Sequence, residues 1–206
     1  MHKIGKKAPP FYAESTRGEI YFPSSHSGRW VVLYYYGDDF SPAAALDITE
    51  LNKKVPKFSA YNASIVGISS DSRAAHIAWA LELRNMDKDG KVIDIELVSD
   101  KNAQIAKAYG IEDEKAVMII DPDGVLRSFH RYEQGTGLNV TEIEREVLAL
   151  TAQREHGSIT PAGWTPGEQL VAAPPTTLAD AQAAVSQREA QGLICIDWYI
   201  CYDTGM

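Results

Sequence analysis

The sequence predicts an α/β protein, a sheet flanked by helices, with a C-terminal extension arm. Three observations predict it: apolar strand-like runs alternate with helical periods, an antiparallel hairpin signal spans 116–132, and the composition changes after about residue 155. Residues 29–36, RWVVLYYY, are a β-branched and aromatic run bounded by polar turns, which reads as a strand buried on both faces. In the following GDDFSPAAALDITELNKKV, Ser41 can cap a helix and Pro42 suits its first position. Ala44, Ile48, Leu51 and Val55 mark one face of that helix. SIVGISS (64–70) reads as a strand, AAHIAWALELR (74–84) as a helix and IELVSD (95–100) as a strand entering a turn. KNAQIAKAYGI (101–111) reads as a helix ended by Gly110, which tolerates a left-handed C-cap. In AVMIIDPDGVLRSFHRY the turn residues Asp-Pro-Asp-Gly separate two strands, and NVTEIEREVLALTAQ (139–153) is a helix capped by Asn139 or Thr141.

From about residue 155 Pro, Gly and Thr dominate, before a short helix at 177–190 and a last apolar stretch, LICIDWYICY. About fifty residues lie near the lower limit for independent folding, so this segment is expected to pack on the main domain or on a neighbouring subunit. The predicted division is 1–154 for the α/β domain and 155–206 for the arm.

A formal charge of −8, from 28 acids and 20 bases without a basic block, leaves no footprint for nucleic acid or an anionic membrane. No apolar run reaches the ~18 residues that span a bilayer, and MHKIGKKAPPFYAE lacks the apolar stretch of a signal peptide. Cys195 and Cys201 cannot build a disulfide framework and suit a reducing compartment, so a cytoplasmic location is expected. No metal or cofactor is expected.

Segment 31–50, VVLYYYGDDFSPAAALDITE, resembles the active-site strand and loop of peroxiredoxins: an apolar run, Pro-x-x-x-Thr/Ser-x-x-Cys, then an acid. Gly37 matches the proline, Ser41 the Thr/Ser, Ala44 the reactive cysteine and Asp47 the acid. A thiol in the first turn of a helix meets unpaired N–H groups and the positive dipole end, which favour thiolate; alanine keeps the helix and removes the reaction. Without the family, SPAAAL is simply a well-capped helix start. GKKAPPF (5–11), GISSDSRAAHIAWA (67–80) and IIDPDGVLR (119–127) resemble further family segments, with His76 read as structural. TPAGWTPGE (160–168) resembles the C-terminal arm of the one-cysteine subgroup, and Thr160 sits where two-cysteine relatives carry a resolving cysteine. PPTTLADAQ followed by CIDWYICYD resembles the tail of archaeal-type members. The resemblance implies an elaborated thioredoxin-like fold.

The departures are as informative. Where the family sets an arginine against the thiolate, the nearest base is Lys115, a doubtful stand-in read as solvated surface; a second family arginine is Leu138, and a histidine before the loop proline is Tyr36. A single ammonium does not reproduce the planar fork of a guanidinium. Ala44 is either a natural loss or an engineered substitution: the retained tail cysteines favour the second, the several pocket replacements the first. Three functional classes stay open. They are a hydroperoxide reductase represented by an inactive form, a non-catalytic scaffold, chaperone or redox sensor, and an enzyme with displaced chemistry at Cys195 or Cys201. The resemblance implies hydroperoxide and a thiol reductant as partners if the cysteine is restored, and a homodimer or a ring of dimers. Drawn as one extended strand, the tail puts the two cysteine Cα atoms ~20 Å apart, beyond the ~7 Å limit for a bridge, with neither Gly nor Pro between Ile196 and Ile200 to ease a bend. The thiols are therefore expected to be reduced or only loosely paired.

Overall fold

The computed structural model describes residues 4–203; the first three residues of the stretch read above for a signal peptide lie outside the described residues. The chain divides into two compact units, Met1–Val140 and Thr141–Met206. The first holds β1 (Phe11–Ser15), β2 (Gly18–Phe22), β3 (Trp30–Tyr35), α1 (Pro42–Ala60), β4 (Ala63–Ser69), α2 (Arg73–Leu83), β5 (Glu96–Ser99), α3 (Gln104–Tyr109), β6 (Lys115–Ile120) and β7 (Leu126–Tyr132). These strands form one sheet in the order β2-β1-β5-β4-β3-β6-β7. β3, β4 and β5 are parallel, joined through α1 and α2, as parallel neighbours require a crossover. β6 lies antiparallel against β3 and returns as β7 through the Asp121–Gly124 turn, where the Asp121 carboxylate accepts the N–H groups of Asp123 and Val125.

β3 is central, and all six of its residues are buried, as the uninterrupted apolar run requires. Val31, Leu33 and Tyr35 join a core cluster with Ile105 and Tyr109 of α3, while the alternate residues Val32 and Tyr34 are fully buried. α3 is shorter than the expected helix. Asp100 accepts the N–H groups of Ile105 and Ala106, and Ala103 sits at φ +51°, so residues 101–103 turn before the helix begins. Gly110 closes it at φ +68°, in the left-handed conformation expected.

The β1–β2 hairpin was not anticipated. Its outer residues, among them Tyr12 and Tyr21, stay exposed, so its apolar signal is half a strand's width. It joins the sheet through Ser15 opposite Val98, with the Ser15 hydroxyl 2.5 Å from Glu96 Oε1. Burial pushes the Glu96 carboxyl up, but His26 and Ser15 outweigh it and hold the group below the usual glutamate value. A lowered folded pKa contributes stability that is present above the ordinary glutamate value and lost as pH falls through the folded one. Glu96→Gln is therefore expected to lower the urea midpoint at neutral pH and to converge on the parent as pH falls through the lowered folded-state value. A gap that stays constant through acid would mean that the loss is steric and not linked to ionisation.

The second unit holds α4 (Val140–His156) from its second residue on, with α5 (Leu178–Ala190), β8 (Ile194–Asp197) and β9 (Ile200–Tyr202). Ala149, Trp164 and Leu170 form its small core. The Trp164 indole donates to the Glu168 carbonyl at 3.0 Å, and Arg145 donates to the Trp164 carbonyl at 3.0 Å, so the Pro- and Gly-rich stretch is folded by its tryptophan. No helix among the described residues is long and apolar enough to cross a membrane.

Candidate functional site

At the end of β3 the chain leaves the sheet through residues 36–40 and enters α1 at Ser41. The Ser41 hydroxyl accepts the Ala44 N–H at 3.3 Å and Pro42 starts the helix, as the sequence predicts. Ala44 is 1% exposed, in the first turn of α1. Its methyl group carries no lone pair, and among the described residues no carboxylate or imidazole bonds the Ser41 hydroxyl to activate it.

The loop before the helix is held by a buried polar network. The Tyr36 hydroxyl donates to Asp39 Oδ1 at 3.0 Å, and His76 Nδ1 lies 2.7 Å from Asp39 Oδ2. The other ring nitrogen of His76 donates to the Val98 carbonyl at 3.1 Å, and the Asp39 N–H donates to Asp71 Oδ2 at 2.8 Å. Burial, then the Asp39 carboxylate, raises the Tyr36 phenol well above its ordinary value, so it acts as a neutral donor. His76 is fully buried with both nitrogens bonded, which fits its structural reading. Phe40 sits at φ +61°, a strained conformation for a bulky residue, and its ring packs 6.2 Å from Trp79. The sequence contained each member of this network, yet Asp39 and His76 lie 37 residues apart and nothing local links them.

One turn along α1 from Ala44, Asp47 is the acceptor of a second buried cluster. Asp47 Oδ2 takes the Tyr34 hydroxyl at 2.6 Å and Lys115 Nζ at 2.6 Å, and Oδ1 takes the Leu138 N–H at 2.9 Å. Lys115 Nζ also donates to the Thr136 carbonyl at 2.5 Å. The surface reading of Lys115 is corrected here: the residue is 1% exposed, because a carboxylate and a carbonyl inside the fold replace its water. Burial, then the Asp47 carboxylate, pushes the Tyr34 phenol far up. Lys115 thus ties α1 to the loop carrying Leu138. Leu138 offers only its backbone N–H where the resemblance puts a guanidinium.

The expectation of reduced or loosely paired tail cysteines is overturned. Cys195 and Cys201 stand opposite each other on β8 and β9 and are joined in a disulfide, with their Cα atoms 4.0 Å apart. The tail is a hairpin and not one strand. A register shift between Cys195 and Asp197 absorbs the bend, and no residue from 196 to 200 needs a positive φ, so neither Gly nor Pro is required. β9 is pinned inward: the Ala172 N–H donates to the Cys201 carbonyl at 2.9 Å, and Val171 bridges Tyr202. Cys201 is fully buried, whereas Cys195 is half-buried.

Residues 4–129 match the model of the AhpC/TSA family, and residues 149–187 match the C-terminal domain of 1-Cys peroxiredoxin. Among solved structures, a yeast mitochondrial 1-Cys peroxiredoxin shares the fold with a TM-score of 0.86 at 23% identity, covering 98% of this chain and 99% of that one. The reduced 2-Cys peroxiredoxin of Plasmodium vivax gives 0.76 at 28% identity, over 83% and 93% of the two chains. The fold is thus the thioredoxin-like fold of peroxiredoxins. A peroxiredoxin of Aquifex aeolicus is 34% identical, over 98% of this chain and 96% of the relative, and one of Methanosarcina mazei is 34% identical over 98% and 97%. Matched along nearly its whole length by relatives of one kind, the chain belongs to the AhpC/TSA, or peroxiredoxin, family.

Proposed function

We propose that this chain is a peroxiredoxin-family protein that does not itself reduce hydroperoxides, because its reactive-cysteine position is Ala44. The observation that carries the reading is the buried methyl of Ala44 at the first turn of α1, with Ser41 spent on capping the helix. Relatives attack peroxide through a thiolate, and neither an alkyl group nor an unactivated hydroxyl can take that part. The test is hydroperoxide consumption with a dithiol reductant. The expected rate is no greater than that of the same concentration of free thiol, and faster turnover overturns the reading.

A second reading, displaced thiol chemistry at the tail, gains support from the Cys195–Cys201 disulfide. A thiol-bearing reductant would attack the half-buried Cys195 sulfur, forming a mixed disulfide and releasing Cys201 as thiolate; a second reductant thiol would then attack the reductant's sulfur in that mixed disulfide, leaving as the oxidised reductant disulfide and releasing Cys195 as thiolate. A cytoplasmic location belongs to the same proposal, with the disulfide read as a reversible redox pair rather than a secretory cross-link.

The arm, residues 155–206, is proposed to contact a second copy in a homodimer or a ring of dimers. Support comes from the large apolar side chains that the second unit leaves exposed, Leu178, Ile194, Ile196, Trp198 and Tyr199. Light scattering is expected to give a mass at least twice the 22.7 kDa of one chain, and a monomer mass at micromolar concentration would remove this part of the proposal.

A further inference from the structure

A cavity of about 320 Å³ opens at the C-terminal end of α1, beside the loop that precedes β3 and the start of β4. Ser59 of α1 lines it, and Ala44 lies about 22 Å away along the same helix at 1.5 Å per residue, so the cavity is separate from the position discussed above. Three basic side chains line it: Arg17, His26 and Arg29. Two acids share the wall, and both are occupied. Arg17 holds Asp94 through its carboxylate and, at 3.0 Å, its carbonyl. Glu96 takes the Ser15 hydroxyl at 2.5 Å and has His26 Nε2 at 3.5 Å, close enough for attraction and too far for a hydrogen bond.

Two donors remain. Arg29 Nε is a buried atom with no hydrogen-bond partner, and among the described residues the Arg29 guanidinium has no ion-pair partner; His26 Nε2 is buried without a hydrogen bond and faces the Glu96 carboxylate at 3.5 Å. Buried polar groups are ordinarily paired, and leaving one unpaired is costly, so the unpartnered Arg29 Nε, with His26 Nε2 beside it still lacking a hydrogen bond, calls for an acceptor on this wall. We infer that this cavity binds a small-molecule oxyanion, a phosphate or carboxylate group, held between Arg29 and His26. The Nε edge of a guanidinium offers two parallel donors that match two oxygens of such a group, and an imidazole with its proton on Nε2 supplies a third. Val55, half-buried on the same wall, gives the body of the ligand an apolar contact, and the volume is of small-molecule size.

The inference does not depend on the state of position 44. It is tested by calorimetric titration of the full chain with inorganic phosphate and, separately, with acetate. Saturable binding of one anion per chain is expected for at least one of them, and which one identifies the ligand's acidic group. Arg29→Gln should weaken it at least ~10-fold, as the loss of a charge-assisted bidentate contact implies. Lys88→Gln, which removes an exposed charge elsewhere, should leave it unchanged. If Arg29→Gln does not fold, His26→Gln read in the same titration decides, with weaker binding expected. No binding of either anion, or variants that bind like the parent, overturns the inference.

Discussion

Installing a thiol by Ala44→Cys should give the chain a reaction with hydrogen peroxide, at a rate at least ~100-fold below that of a pocket with its cationic donors intact. The gain follows from the frame: Ser41 caps the helix, Pro42 opens it, and a thiol at position 44 would stand in the first turn, near the positive end of the helix dipole. The shortfall follows from what surrounds it. Lys115 is committed to Asp47 and to the Thr136 carbonyl, Leu138 offers only a backbone N–H, and Tyr36 is committed to Asp39. None of these is a free donor for charge that develops on the peroxide, and each such donor typically matters by about two orders of magnitude or more. Single-turnover kinetics of the variant, with Cys195 and Cys201 replaced by serine, give the rate. A revertant as fast as an arginine-bearing relative would show that the pocket is complete, and would favour engineering as the origin of Ala44.

Lys115→Met should destabilise the fold by ~3–5 kcal/mol, the range for leaving one member of a buried ion pair without its partner. Asp47 would keep the Tyr34 hydroxyl and the Leu138 N–H but lose the only cation bonded to it among the described residues. Lys115→Met combined with Asp47→Asn should recover at least ~1 kcal/mol of that loss, because the second change removes the stranded charge while keeping an acceptor for Tyr34. Urea unfolding of the two variants and the parent measures both numbers. A loss under ~1 kcal/mol for Lys115→Met would restore the solvated reading of that lysine.

What the sequence made legible was local. The β3 run and the Ser41-Pro42 start of α1 each carry their signal within a few residues, and both stand where expected. So does the Asp121–Gly124 turn, whose carboxylate bonds its own backbone. What it hid was pairing at a distance. Lys115 meets an acid 68 residues earlier in the chain, and a lone lysine in a short connection is usually solvated, so its burial had no local sign. The β1–β2 hairpin presents one face to water, which halves the apolar pattern a strand would otherwise show. The tail failed for a different reason. Extended geometry was applied to nine residues that fold back on themselves, and a register shift supplied the bend that Gly or Pro normally signals.

The account rests on position 44, and one measurement addresses it most directly: stopped-flow peroxide consumption in excess hydrogen peroxide with a dithiol reductant, run on the untouched chain and on the chain reduced and alkylated at Cys195 and Cys201. The alkylated protein is predicted to consume no peroxide beyond the reductant blank, and the untouched protein no more than two ordinary thiols would. Fast turnover in the untouched protein that alkylation abolishes would assign the chemistry to the tail pair, while turnover that survives alkylation would contradict the account outright, because no thiol would then remain to perform it.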